Sequence, residues 1–275
     1  MFNLLKMDFY RLFHSKAIKV GAIAAAVIAF VGMFLNWGVL EIITLATKES
    51  GTSAEGMEII FPIISWLFPG GVDFGDVILT GTDAFTLFVS CMITASFIGA
   101  EQSCGYVKNI AGQISNKGLT IVSKLIVTCF IQFVVLAIYV IVSVSFSGMF
   151  FGKYITSYSI AEMIGALALR FLLFCAVDAV LVFLCTLTKS HAIAMVIGAI
   201  FGMGVTRLVY IAGNMIMSML KISVDLAKFM PDGINGILSV GSLGEVTVKA
   251  IIVSVIFIAG FLTAAILIFK KRDVR

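Results

Sequence analysis

Six stretches of the chain are apolar over long runs: Ile18–Leu40, Phe85–Ala100, Leu125–Ser147, Ala166–Leu187, Ala192–Val209 and Val248–Phe269. Each is bounded by charge or glycine. An α-helix rises ~1.5 Å per residue, so about 20 apolar residues cross the ~30 Å hydrocarbon core of a bilayer. Backbone polar groups find no water there and must bond within their own segment, so the stretches are expected as helices. The second can extend back to Val77, with Asp83 in its outer turn. Pro62, Pro69 and Pro231 all fall between the stretches, so no proline kink is expected.

Ahead of the first stretch, Phe2, Leu5, Phe9, Leu12 and Phe13 recur at helical spacing. Asn3, Asp8, Tyr10, Arg11 and His14 lie mostly opposite, and Leu4 and Met7 break the pattern. Residues 1–16 therefore read as an amphipathic helix in the membrane interface, or else as a short frayed tail. The first apolar run is too long for the core of a cleavable signal.

Composition extends this to the whole chain. Of 275 residues, 61% are hydrophobic and 12% charged, against roughly 45–50% and ~25% in soluble domains. The mean hydropathy is +1.14. The fold class expected is all-α integral membrane, a single transmembrane domain over 1–275. The net charge of +4 gives no reason to invoke nucleic acid. If the N-terminus is cytosolic, inner segments hold twelve Lys and Arg and outer segments six, with the densest group at Lys270–Arg272. Both termini are then cytosolic, and six spans satisfy that parity. The outer segments are 41–83 and 206–247. The first contains an apolar patch, Ile59–Phe68, expected as a short interfacial helix. In the second, Leu208–Leu220 either continues the fifth span or folds back as a re-entrant helix.

The chemistry-bearing patterns are few. The sequence has no GxxxxGK[ST], GxSxG or HExxH, and no carboxylate pair in a plausible pocket, so no catalytic residue and no cofactor on this chain are expected. Cys91, Cys104, Cys129, Cys175 and Cys185 are odd in number and form no CxxC. They read as reduced, small apolar side chains. His14 and His191 have no second ligand nearby, so no metal is expected.

The informative segment is 101–124, EQSCGYVKNIAGQISNKGLTIVSK, between the second and third stretches. Tyr106 and Ile110 stand at i and i+4, so Tyr106–Ala111 can form about one helical turn docked in a partner's groove. The alternative is an ordinary basic inner loop.

Together with the N-terminal LLKMDFYRLFHSK, the E-x-x-x-G loop ending in SK and the long segment between the fifth and sixth stretches, this pattern resembles the membrane subunit of ABC-2-type exporters. It is most similar to small bacterial permeases for antimicrobial or amphipathic toxic peptides, such as phenol-soluble modulins. The likeness covers essentially the whole chain, as topology plus weak motifs. Glu101, Gly105, Ser123 and Lys124 stand at family positions. The proline and arginine that the family often shows before SK are absent, with Ser115 and Lys117 nearest. The resemblance implies that Glu101, Gly105, Tyr106, Val107, Lys108, Asn109 and Ile110 couple the chain to a separate ATPase subunit, present in two copies and carrying ATP and Mg. It also implies a second permease copy, a peptide cargo and a multi-pass place in the bacterial cell membrane.

Small residues bear on pairing. Gly21, Ala25 and Ala29 line one face of the first stretch, and Gly198 and Gly202 one face of the fifth. Such faces let helices approach closely, within one chain or between two. The resemblance favours the dimer interface, and Gly202→Leu is then expected to weaken it.

Arg170 and Asp178 lie inside the fourth stretch. Each costs ~2.5–3.5 kcal/mol at a span centre. Separated by ~12 Å along the axis, they need other partners or water. They are expected on the translocation path, in structural pairs between helices, or, for Arg170, snorkelling outward. Three rival readings are open. A sensor or immunity protein would bind a peptide without moving it. A secondary transporter would show internal repeats and interrupted mid-membrane helices. An intramembrane enzyme would need the missing catalytic constellation.

Overall fold

A computed structural model describes residues 2–49, 74–103, 118–150, 160–188, 190–219, 225–238 and 243–271. In chain order the helices are α1 (Phe2–His14), α2 (Lys16–Glu49), α3 (Phe74–Ser103), α4 (Gly118–Phe150), α5 (Ile160–Thr188), α6 (His191–Gly202), α7 (Thr206–Met219), α8 (Pro231–Ile237) and α9 (Leu243–Lys271), with a 3-10 turn at Leu226–Phe229. Helices α2, α4, α5 and α9 are each long and apolar enough to cross a membrane. The chain is therefore an all-helical protein suited to a bilayer. In α3 the described apolar run is Thr86–Glu101.

The helices overrun the apolar stretches that predict them. α2 continues to Glu49 and α3 begins at Phe74, so the expected outer segment 41–83 is helical at both ends. Once a helix is nucleated, each added residue gains a hydrogen bond, and no glycine or proline stands between Gly38 and Gly51 to stop it. The patch Ile59–Phe68 lies outside the described residues.

The fifth stretch departs from expectation. Ala192–Val209 is not one helix. It ends at Gly202, and the chain turns at Met203–Val205 before α7 begins. Gly204 takes φ 68°. Its N–H donates to the Phe201 carbonyl at 3.1 Å, and the Val205 N–H donates to the Ile200 carbonyl at 3.3 Å. These two bonds with a left-handed glycine are a Schellman stop, which satisfies the last free carbonyls of α6. At 12 residues, α6 is ~18 Å long, short of a ~30 Å crossing by itself.

Within the expected outer segment 206–247, the described residues form α7, the 3-10 turn, α8 and the start of α9. Asn214 Nδ2 donates to Asp225 Oδ1 at 2.9 Å, and the Leu226 N–H donates to Asn214 Oδ1 at 2.9 Å. The Thr206 hydroxyl is bonded to Asp232 Oδ2. Pro231 through Asn235 are all buried, with Ile234 packed among Leu169, Leu173 and Ala250. Helix α8 thus lies against α5 and α9. By residue count it sits ~10–15 Å along them from their starts at Ile160 and Leu243.

Helix α3 is the hub. It packs antiparallel to α6 over nearly the whole of that helix, and α2 covers another of its sides. A Cβ on Gly198 would fall 2.9 Å from the Cys91 carbonyl oxygen, and one on Gly202 would fall 2.6 Å from Phe88 Cα. A Cβ on Gly21 would collide with the Ile93 side chain. Ala25 and Ala29 are buried as well. All five small residues read as dimer-interface positions are therefore occupied within the chain. Close helix approach is what they provide, and for Gly21, Gly198 and Gly202 the helix approached is α3. Gly202→Leu is accordingly expected to destabilise the single chain by about 2 kcal/mol through overpacking against backbone. Thermal unfolding in mild detergent would reveal it, with the oligomer size of the folded fraction unchanged.

Candidate functional site

Where α3 ends and α4 begins, four charged side chains are brought together. Glu101, in the last turn of α3, is 1% exposed, and Lys124, in the second turn of α4, is 2% exposed. Lys124 Nζ forms an ion pair with Glu101 Oε2. The other carboxylate oxygen accepts from Arg11 Nη1 at 2.6 Å. One turn back on α1, Asp8 accepts the Ser123 hydroxyl at 2.6 Å and lies 3.9 Å from Arg11 Nη1. The Arg11 guanidinium also sits 5.6 Å over the Phe97 ring. Two acids and two bases balance in formal charge, and their mutual attraction and hydrogen bonds offset the desolvation penalty of burying them.

Local sequence explains the assembly. Asp8 and Arg11 are three residues apart and so share a face of α1. Phe9 and Phe13 pack on Phe130 of α4, with ring centroids 5.1 and 5.9 Å away, and Leu12 is fully buried. The corner into α2 is closed by Ser15, whose hydroxyl donates to the Leu12 carbonyl at 2.8 Å and accepts the Ile18 N–H at 3.4 Å. Burial holds the Asp8 carboxyl above its ordinary range, opposed by the Ser123 hydroxyl, raised further by Glu101 and lowered by Lys124 and Arg11. The sign follows from linkage. A raised folded-state value contributes stability that is full below the free-aspartate range and lost as pH rises through the folded value.

This cluster offers no nucleophile and no open acid–base pair. It instead welds α1 to the two helix ends that bracket residues 104–117. Among the residues read from sequence as coupling positions, Glu101 is at its centre. Gly105, Tyr106, Val107, Lys108, Asn109 and Ile110 lie outside the described residues. Helical spacing puts Asp8 and Arg11 opposite the apolar face of α1, whereas Asp8 is buried. Its spacing after Leu5 and before Leu12 was the available signal.

The two intramembrane charges are separate from this cluster and from each other. Arg170 is buried, and its Nε donates to Asn235 Oδ1 at 2.8 Å while Nη2 donates to the Asn235 carbonyl at 3.3 Å. It holds α8 in place, so it does not snorkel outward. Asp178 is buried against Thr94, whose hydroxyl lies 3.4 Å from Oδ1. Further buried polar residues follow helical spacing on the same helices: Thr86, Ser90 and Thr94 on α3, and Lys124, Thr128 and Gln132 on α4. Among the described residues, no group of three or more His, Cys, Asp or Glu is placed to hold a metal ion.

No protein-family model matches this chain, and no curated protein matches it.

Proposed function

We propose that this chain is the permease subunit of an ATP-driven exporter in a bacterial cell membrane. It crosses the bilayer six times, with the broken α6–α7 pair together as the fifth crossing and both termini and the α1 end cytosolic, and carries an amphipathic or antimicrobial peptide outward. A second permease copy completes the path, and a separate ATPase subunit drives it. The observation that carries this reading is the Asp8–Arg11–Glu101–Lys124 cluster. A loop that only joined two spans would need no buried clamp at both of its ends. A loop that receives force from a partner needs a stiff base, so that displacement reaches α3, α4 and α1 together. Cargo then moves because the two states of the bundle bind it with different affinity.

A second reading is a stand-alone, ion-coupled transporter. The break of the fifth stretch at Gly204 and the buried Asp178 favour it. Inside-out vesicles carrying the chain and its partners separate the two. The exporter reading predicts that a fluorescent amphipathic peptide accumulates with ATP, fails to accumulate with a non-hydrolysable analogue, and is indifferent to ionophores that collapse ion gradients. Uptake abolished by ionophores but independent of ATP would make the second reading the right one. No uptake under either drive would leave binding without transport, as in a sensor or immunity protein.

A further inference from the structure

A cavity of about 420 Å³ opens between the α1–α2 corner and α3, beside the charge cluster, with which it shares Arg11. Arg11, His14 and Lys16 line it together with Tyr10 and Ser96, and Phe97 forms part of its wall. None of the described lining residues is acidic. We propose that this cavity binds the headgroup of an anionic phospholipid from the leaflet at the α1 end.

Three observations converge on that ligand class. Lys16, exposed at the start of the candidate span Lys16–Leu35, supplies a cation and Tyr10 and Ser96 supply hydroxyl donors, and a basic side chain at a span end attracts anionic lipid. Arg11 is already fixed over Phe97 and against Glu101, so its position costs little further ordering on binding. The third observation concerns the tail. Lys16, Val20, Ile23 and Val27 recur at i, i+4, i+7 and i+11, one face of α2, and all four are exposed. A phosphate at Lys16 thus continues into an apolar strip along which an acyl chain can lie. A soluble phosphate would use only the first half of this arrangement. A zwitterionic headgroup would bring its ammonium against the basic lining, so phosphatidylglycerol fits better than phosphatidylcholine.

The inference does not depend on what the protein transports. It is tested by titrating the full-length chain in mild detergent with each lipid and reading bound fractions by native mass spectrometry. Phosphatidylglycerol is expected to bind about fivefold more tightly than phosphatidylcholine. The exposed pair His14→Gln and Lys16→Gln should erase that preference. Lys19→Gln, which removes an exposed lysine that does not line the cavity, should keep it within twofold. Equal binding of the two lipids by the unaltered chain would overturn the proposal. So would an equal loss in Lys19→Gln, or displacement of the lipid by millimolar glycerol 3-phosphate, which carries the phosphate without the chain.

Discussion

Glu101→Gln is expected to cost roughly 3–5 kcal/mol of stability, the largest effect of any single substitution considered for this chain. The carboxylate serves two cations at once, and Lys124 is too deeply buried to recover its lost partner in water. A neutral amide keeps the shape and leaves the buried ammonium uncompensated, which is the costly half of breaking an ion pair. Glu101→Leu combined with Lys124→Leu should recover most of the stability, because both charges leave together and Arg11 is partly exposed and can reach solvent. Thermal unfolding in detergent separates these outcomes. If the single and double variants unfold alike, the cluster is not holding α1 to α3 and α4. The double variant is also the informative one for function. Under the exporter reading it should fold but couple poorly, since an apolar contact between the helix ends lacks the directional bonds that tie in α1.

Asn235→Leu is the second large effect, expected at ~3 kcal/mol. It removes the side-chain acceptor of a buried guanidinium in the N-terminal half of α5 and puts a leucine side chain where Asn235 Oδ1 accepts from Nε. Arg170→Met should be the milder change. It removes the charge itself, and with it the penalty of holding that charge inside the bundle, while keeping most of the side-chain volume. Hydrogen exchange along 225–238 would report the result. Protection of α8 should fall markedly in Asn235→Leu and less in Arg170→Met. The reverse order would mean that the charge, rather than the satisfied acceptor, fixes α8.

The helical membrane class was legible because hydrophobic runs of this length have few other solutions in a bilayer. Glu101 and Lys124 stand out in the sequence as charges at the edges of apolar runs, but nothing there pairs them or buries them. The break at Gly204 was missed even though the glycine is visible, because glycine is common inside membrane helices and only the φ of 68° distinguishes a stop from a passenger. The burial of Asp8 was missed for a different reason. A helix read alone assigns its polar residues to water, and only the arrival of Ser123 from a helix more than a hundred residues away reverses that assignment. Small residues such as Gly202 mark close approach but carry no information about which helix approaches. The spacing of Arg170 and Asp178 shows that they need partners other than each other, but nothing in the sequence names Asn235, which lies in a segment that reads as an outer loop.

The measurement that tests the central claim most directly is recovery of partners from native membranes. A tagged full-length chain would be solubilised gently and its companions identified by mass spectrometry, beside a variant carrying Tyr106→Asp and Ile110→Asp. The account predicts an ATPase subunit with the unaltered chain and its loss with the variant, which should still fold because both changes fall in the segment that the sequence predicts as an inner connection between two spans. Recovery of no ATPase, or of equal amounts with both chains, would contradict it.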